Sequence, residues 1–296
     1  MPLKAIQRVM VAFDGSPGSI EATEFAAILA KYFGSSVTVA HVLPQITTLS
    51  APMRLEYDSK IREKADAEAT KMVDLLRKSG VKATTKLLPA KGSVSDSIID
   101  ATYDDKTDMI AAGTRGLGAF RRMILGSVST KLLNDAKCPV LIVRKRSPKT
   151  ETQLRKILVA TDGSKSARDA IDLAVSISRA SKADLTIAHV VYLPPTSYSA
   201  GASEAIGVLY NDLRKEGDRV VAEASKVAQD NGVTASTKVI DNNRSPVWAI
   251  TKFAESGKFD LIVAGTRGIG GIKKAILGSV ANGLAHYAKC SVLITK

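Results

Sequence analysis

The stretch "GTRGLGAFRRMILGS", residues 113–127, follows the apolar run "DMIAA" (108–112) with no spacer. The chain writes the arrangement again as "GTRGIGGIKKAILGS", residues 265–279, after "DLIVA" (260–264). From Ala112 to Val128 and from Ala264 to Val280, the two copies agree at 11 of 17 positions. A short apolar run that stops at a glycine reads as a buried strand ending in a tight turn. Residues 127–136 carry a helical pattern, with Ser127 suited to cap its start. Neither copy places Glu or Gln three residues on (Thr130 and Asn282 stand there), so no capping box of that kind forms.

Outward from this stretch the duplication covers nearly the whole chain. "RVMVAFDGSPGSIEATEFAAILAKYFGSSVTVAHVL" (8–43) returns as "KILVATDGSKSARDAIDLAVSISRASKADLTIAHVV" (156–191), so Asp14 maps to Asp162 at an offset of 148. At the glycines the offset is 152, so about four residues were added in the middle of the second copy. The polar, proline-bearing "RKRSPKTETQL" (144–154) reads as the joint, giving domains at 1–147 and 153–296. In the first copy "RVMVAF", "SVTVAHVL", "VKATTKLL", "DMIAA" and "PVLIVR" read as strands. They alternate with helical patterns at "SIEATEFAAILAKYF", 58–79, "SVSDSIIDAT" and 127–136. Strand and helix in alternation predict an α/β fold: two tandem open five-stranded parallel sheets with helices on both faces.

Composition bounds the function. Of 296 residues, 45% are apolar and 24% charged, which describes a globular protein able to bury a core. Apolar runs fall short of the roughly 18 residues a spanning helix needs, so no membrane insertion is expected. The opening "MPLKAIQRVMVAFDGS" leads into a core strand rather than a signal peptide, which reads as a cytoplasmic protein. The net charge of +13 splits into 22 Lys and Arg against 15 Asp and Glu in 1–148, and 20 against 14 in 149–296. Such a surface favours anions in general. With aromatics at 5% and no groove-reading motif, no specific nucleic-acid partner is expected. Cys138 and Cys290 precede matching last strands and read as buried reduced thiols, a bridge requiring those strands to be adjacent.

In open parallel sheets ligands sit beyond the carboxyl ends of the strands, where strand order reverses. Asp14 leaves the first strand there and Gly113 the fourth. Gly113 and Gly116 let the backbone turn tightly and lie against a ligand, and the helix start at Gly126-Ser127 attracts anions. A phosphate chain uses both features. Arg121, Arg122, Lys273 and Lys274 either add positive charge beside it or form a solvated face. "GLGAFR" and "GIGGIK" lack the third glycine of a dinucleotide fingerprint, and no G-x-x-x-x-G-K-[ST] occurs.

G-x2-G-x9-G-S after the fourth strand, Asp after the first and "AHV" in the second together resemble the universal stress protein family in tandem form. That resemblance implies a Rossmann-like sheet of the adenine nucleotide alpha-hydrolase type, and ATP, with or without Mg2+, as ligand. It places Gly113, Gly116, Gly126, Ser127 and Val128 on ribose and phosphates. Asp14 and Val42 fall on the nucleoside side, with Ala12 and Ala112 lining. The second copy supplies Gly265, Gly268, Gly278, Ser279 and Val280, with Asp162 and Val190, and Ala160 and Ala264 lining. There "DNNRSPVWAI" replaces "AKGSVSDSI", so the second rim departs from the first. The resemblance also implies pairing through last strands, including a homodimer.

The function expected is nucleotide binding in a stress or regulatory role with little or no catalysis. Slow ATP hydrolysis or phosphoryl or nucleotidyl transfer remains the enzymatic alternative. A switched interaction module is the other, with loops 44–57 and 193–203 covering the crevices.

Overall fold

The computed structural model describes residues 5–44, 51–114, 116, 125–144, 153–193, 203–242, 244–266, 268 and 277–296. The chain divides into two compact units, Ala5–Ser147 and Pro148–Lys296.

The first unit runs β1 (Arg8–Ala12), α1 (Pro17–Phe33), β2 (Ser36–Leu43), α2 (Ala51–Lys78), β3 (Lys82–Pro89), α3 (Val94–Asp104), β4 (Met109–Gly113), α4 (Ser127–Asp135) and β5 (Val140–Val143). The second repeats it as β6 (Lys156–Ala160), α5 (Lys165–Ser181), β7 (Asp184–Tyr192), α6 (Ser203–Asp230), β8 (Ala235–Asn242), α7 (Pro246–Ser256), β9 (Leu261–Ala264), α8 (Ser279–Tyr287) and β10 (Ser291–Ile294). Within the first unit the strands lie β3-β2-β1-β4-β5, and within the second β8-β7-β6-β9-β10. All pairings within each unit are parallel.

Strands β4, β5, β9 and β10 are buried at every residue, as expected of parallel strands covered by helices on both faces. Local chemistry sets the helix ends. Ser16 caps α1 by accepting from Ser19 N, Pro17 begins it, and Gly34 ends it at a left-handed φ of 67° that a side chain would disfavour. At the amino edge one carboxylate ties two strands. Asp108 Oδ2 accepts from Gln7 N at 2.9 Å and Arg8 N at 2.8 Å, and Asp260 Oδ2 repeats this with Arg155 N at 2.8 Å and Lys156 N at 2.9 Å.

Helix α2 begins at Ala51, seven residues before the start expected from charge periodicity. Residues 51–57 of the expected covering loop are therefore helical. Pro52 does not prevent this, because a helix's first turn has no use for the amide that proline lacks. Residues 45–50 and 194–202 of the two expected loops lie outside the described residues, as do Arg121, Arg122, Lys273 and Lys274. No helix among the described residues is long and apolar enough to cross a membrane.

Candidate functional site

β1 pairs with β4, and β6 with β9, so strand order reverses at these neighbours and a crevice opens beyond their carboxyl ends. Asp14 turns back on leaving β1, its Oδ1 accepting from Ser16 N at 3.0 Å; Asp162 does the same with Ser164 N at 3.0 Å. Gly116 lies directly against this carboxylate. A Cβ at Gly116 would fall 2.2 Å from Asp14 Oδ2, and one at Gly268 2.5 Å from Asp162 Oδ2. Gly113 and Gly265 are required for another reason. A Cβ at Gly113 would fall 2.5 Å from the Gly18 carbonyl carbon, and one at Gly265 2.6 Å from that of Ser166. Besides edging the crevice, these glycines let the amino end of α1 or α5 rest on the strand end.

The helix beyond the glycine stretch is capped by Gly126, not by Ser127. Gly126 has extended dihedrals (φ −68°, ψ 158°), its carbonyl accepts from Thr130 N at 2.9 Å, and Ser127 is already helical. Gly278 does the same for α8, its carbonyl accepting from Asn282 N at 2.9 Å. In both copies the cap amide donates back across the stretch, Gly126 N to Thr114 O and Gly278 N to Thr266 O, each at 2.8 Å. No side chain caps either helix start. A helix whose first-turn amides meet no side-chain acceptor presents partial positive charge to an anion.

Each crevice encloses a cavity. In the second unit it measures about 510 Å³, and its lining includes all nine residues expected there: Ala160, Asp162, Val190, Ala264, Gly265, Gly268, Gly278, Ser279 and Val280. In the first it measures about 80 Å³ and is lined by Ala12, Asp14, Val42, Ala112, Gly113, Gly116 and Val128, whereas Gly126 and Ser127 are not among its lining. A paired β1–β4 switch point, bare glycines against an aspartate, and a helix start without a side-chain cap therefore occur twice in one chain. The universal stress protein family profile matches residues 5–144 and 153–296.

The chain belongs to the universal stress protein family.

A universal stress protein of Mycolicibacterium smegmatis is 26% identical over 296 residues, covering 97% of this chain and 96% of its own. The single-unit universal stress protein YxiE of Bacillus subtilis is 35% identical over 147 residues, 48% of this chain and 98% of its own. The crystal structure of a universal stress protein from Archaeoglobus fulgidus shares the fold, with a TM-score of 0.72 at 23% identity and 99% of both chains covered.

This universal stress protein also lines its crevices with residues that sequence reasoning passed over. They include Phe13, Ser19, Val94, Ile98 and Ser129 in the first unit, and Thr161, Ala167, Pro246, Ile250 and Ala281 in the second. Most carry no chemistry that marks a ligand. The available signal was topological: a helix entered from the carboxyl end of β3 or β8 begins at the crevice edge. The second rim, which lacks glycine, is held by Asn242, whose Oδ1 accepts from Arg244 N at 2.6 Å and Ser245 N at 3.2 Å. In the first rim Gly92 turns with φ 72° at the position of Arg244.

The strand-end histidines differ. His189 Nδ1 lies 2.9 Å from Thr161 O, and since a carbonyl only accepts, this nitrogen carries the proton. His41 Nδ1 is buried and has no partner among the described residues. Burial lowers the His41 pKa below its ordinary value, opposed by the negative charges of Glu68 and Asp14.

Proposed function

We propose that the protein binds ATP at the carboxyl edge of each unit and serves as a nucleotide-binding stress or regulatory protein rather than as a catalyst. The observation that carries the reading is the crevice of the second unit. Its about 510 Å³ fall within the roughly 300–1,000 Å³ of small-molecule sites. Its walls run from apolar residues (Ala160 and Val190 toward the strand ends, Ile250 on α7) to the start of α8 at Gly278-Ser279, which no side chain caps. A flat, apolar-faced base suits the first end, and a polyphosphate the second. Asp162 lines the same crevice, at the end of β6 where the resemblance puts the nucleoside. The first unit repeats the glycines, the aspartate and the helix start.

The test is the small molecule released when the purified full chain is denatured, together with calorimetric titration of ATP. Adenine nucleotide in the released fraction and saturable binding are expected. Empty protein with no affinity for ATP at millimolar concentration overturns the reading. A second reading, slow phosphoryl transfer, draws on Asp162 and Ser279 lining one crevice. Phosphate release undiminished in a variant carrying both Gly116→Ala and Gly268→Ala would assign any such activity to a contaminant.

A further inference from the structure

The two crevices share a frame and differ in what fills it. Among the wall positions common to both, four pairs differ in residue: Phe13 and Thr161, Ser19 and Ala167, Val94 and Pro246, Ser129 and Ala281. In the first, second and fourth pairs the second unit carries the smaller side chain. The backbone is the same at the largest change, since Phe13 N donates to Ala40 O and Thr161 N to Ala188 O, each at 2.9 Å. Phe13 is only 5% exposed and meets the His41 ring edge-on, centroids 6.3 Å apart. Ser129 adds a tie, its Oγ donating to Gly113 O at 2.7 Å and drawing the first turn of α4 onto the end of β4. Ala281 has no hydroxyl with which to do so. The first cavity, about 80 Å³, falls below the roughly 300 Å³ at which small-molecule sites begin.

We infer that the two crevices are unequal nucleotide sites, the second open to a nucleoside triphosphate as built and the first gated by Phe13 and the Ser129–Gly113 hydrogen bond. The inference rests on the ATP reading and adds to it an order of filling and the residues that set it. A site whose binding-competent arrangement is a minor one loses apparent affinity in proportion to that population. Phe13 must leave its packing on His41, and Ser129 its bond, before the first crevice widens enough to admit a nucleotide.

The experiment titrates ATP with Mg2+ into the nucleotide-free full chain and follows backbone hydrogen exchange at each addition. One equivalent should bind at least about tenfold more tightly than the next. Protection should arise first in 261–266 and 277–284, and only later in 109–114 and 125–132. Combining Phe13→Thr with Ser129→Ala should then tighten the weaker site about tenfold. Two equal equivalents, or protection arising first in Ala5–Ser147, would overturn the inequality and leave the ATP reading standing. Binding at neither crevice would overturn both. The exchange map of the unmodified chain decides the order of filling even if the double variant fails to fold.

Discussion

The helices that flank the two crevices are joined in different ways. In the first unit an ionic strut spans α3 and α4. Lys131 Nζ lies 2.7 Å from Asp96 Oδ1, and Asp96 also accepts from Ser93, the cap of α3. In the second unit those positions are Gly283 and Trp248, and α7 approaches α8 so closely that a Cβ at Gly283 would fall 2.5 Å from Val247 Cγ2. One unit thus holds its crevice walls with charge at the surface, the other by bare van der Waals approach. The sheet order, the aspartate, the glycines and the helix start without a side-chain cap are common to both. Backbone frame and wall furnishing are therefore separable: residues of one kind fix where a crevice forms, and a handful of others fix how much room it has.

The largest expected effect would break the claim that the frame is shared. Gly113→Ala and Gly265→Ala each force a Cβ against the backbone at the amino end of α1 or α5, at 2.5 and 2.6 Å. Overpacking of this kind costs about 1–3 kcal/mol, and backbone has less freedom to yield than a side chain. Urea unfolding of the two variants should show losses of similar size; tolerance of one alone would mean that the strand ends are not built alike.

Next come the amino-edge carboxylates. Asp108→Ala and Asp260→Ala each remove an acceptor from two backbone amides, and losses of roughly 1–3 kcal/mol are expected in either unit. Equal shifts in the denaturation midpoint sharpen the comparison, and a shift in one variant only would break it.

Acid should then separate the units. Because burial holds the folded pKa of His41 below the ordinary 6.5, the unfolded chain takes up this proton first as pH falls. The stability His41 contributes is complete above 6.5 and declines as pH drops toward its folded value. Hydrogen exchange of the first unit between neutral pH and pH 5 should show this decline, and His41→Gln should flatten it.

The smallest effect concerns the strut. Lys131 and Ser93 hold the Asp96 carboxyl at about 2, below the ordinary 3.8. A carboxyl NMR titration should find that midpoint, and Lys131→Met should return it toward the ordinary value. Stability from this pair is present above 3.8 and lost as pH falls through about 2; the pair is solvent-exposed, so the change is slight.

Much of this molecule was legible in the residues themselves. Period and spacing announce the strand–glycine–helix unit, and repetition marks its bounds. Both operate on near neighbours in sequence. The rule for open parallel sheets put Asp14 and the glycine stretch at the carboxyl ends of their strands; that they meet there depends on β1 lying beside β4. What escaped depended on distant partners. Nothing near Gly113 shows that Gly18 will press on it. Ser127 was expected to cap α4 because serine suits that role, yet Gly126 already supplies the extended dihedrals. Phe13 reads as one more apolar residue at a strand end, and its effect on crevice volume depends on the wall opposite.

The carboxylates of Asp108 and Asp260 fasten the strands at the end of each sheet away from the crevice. Because the clamp and the opening sit at opposite ends, changes around the mouth do not loosen the rivets. A duplicated chain of this design can let one copy drift toward a different occupant, or toward none, while both copies go on folding.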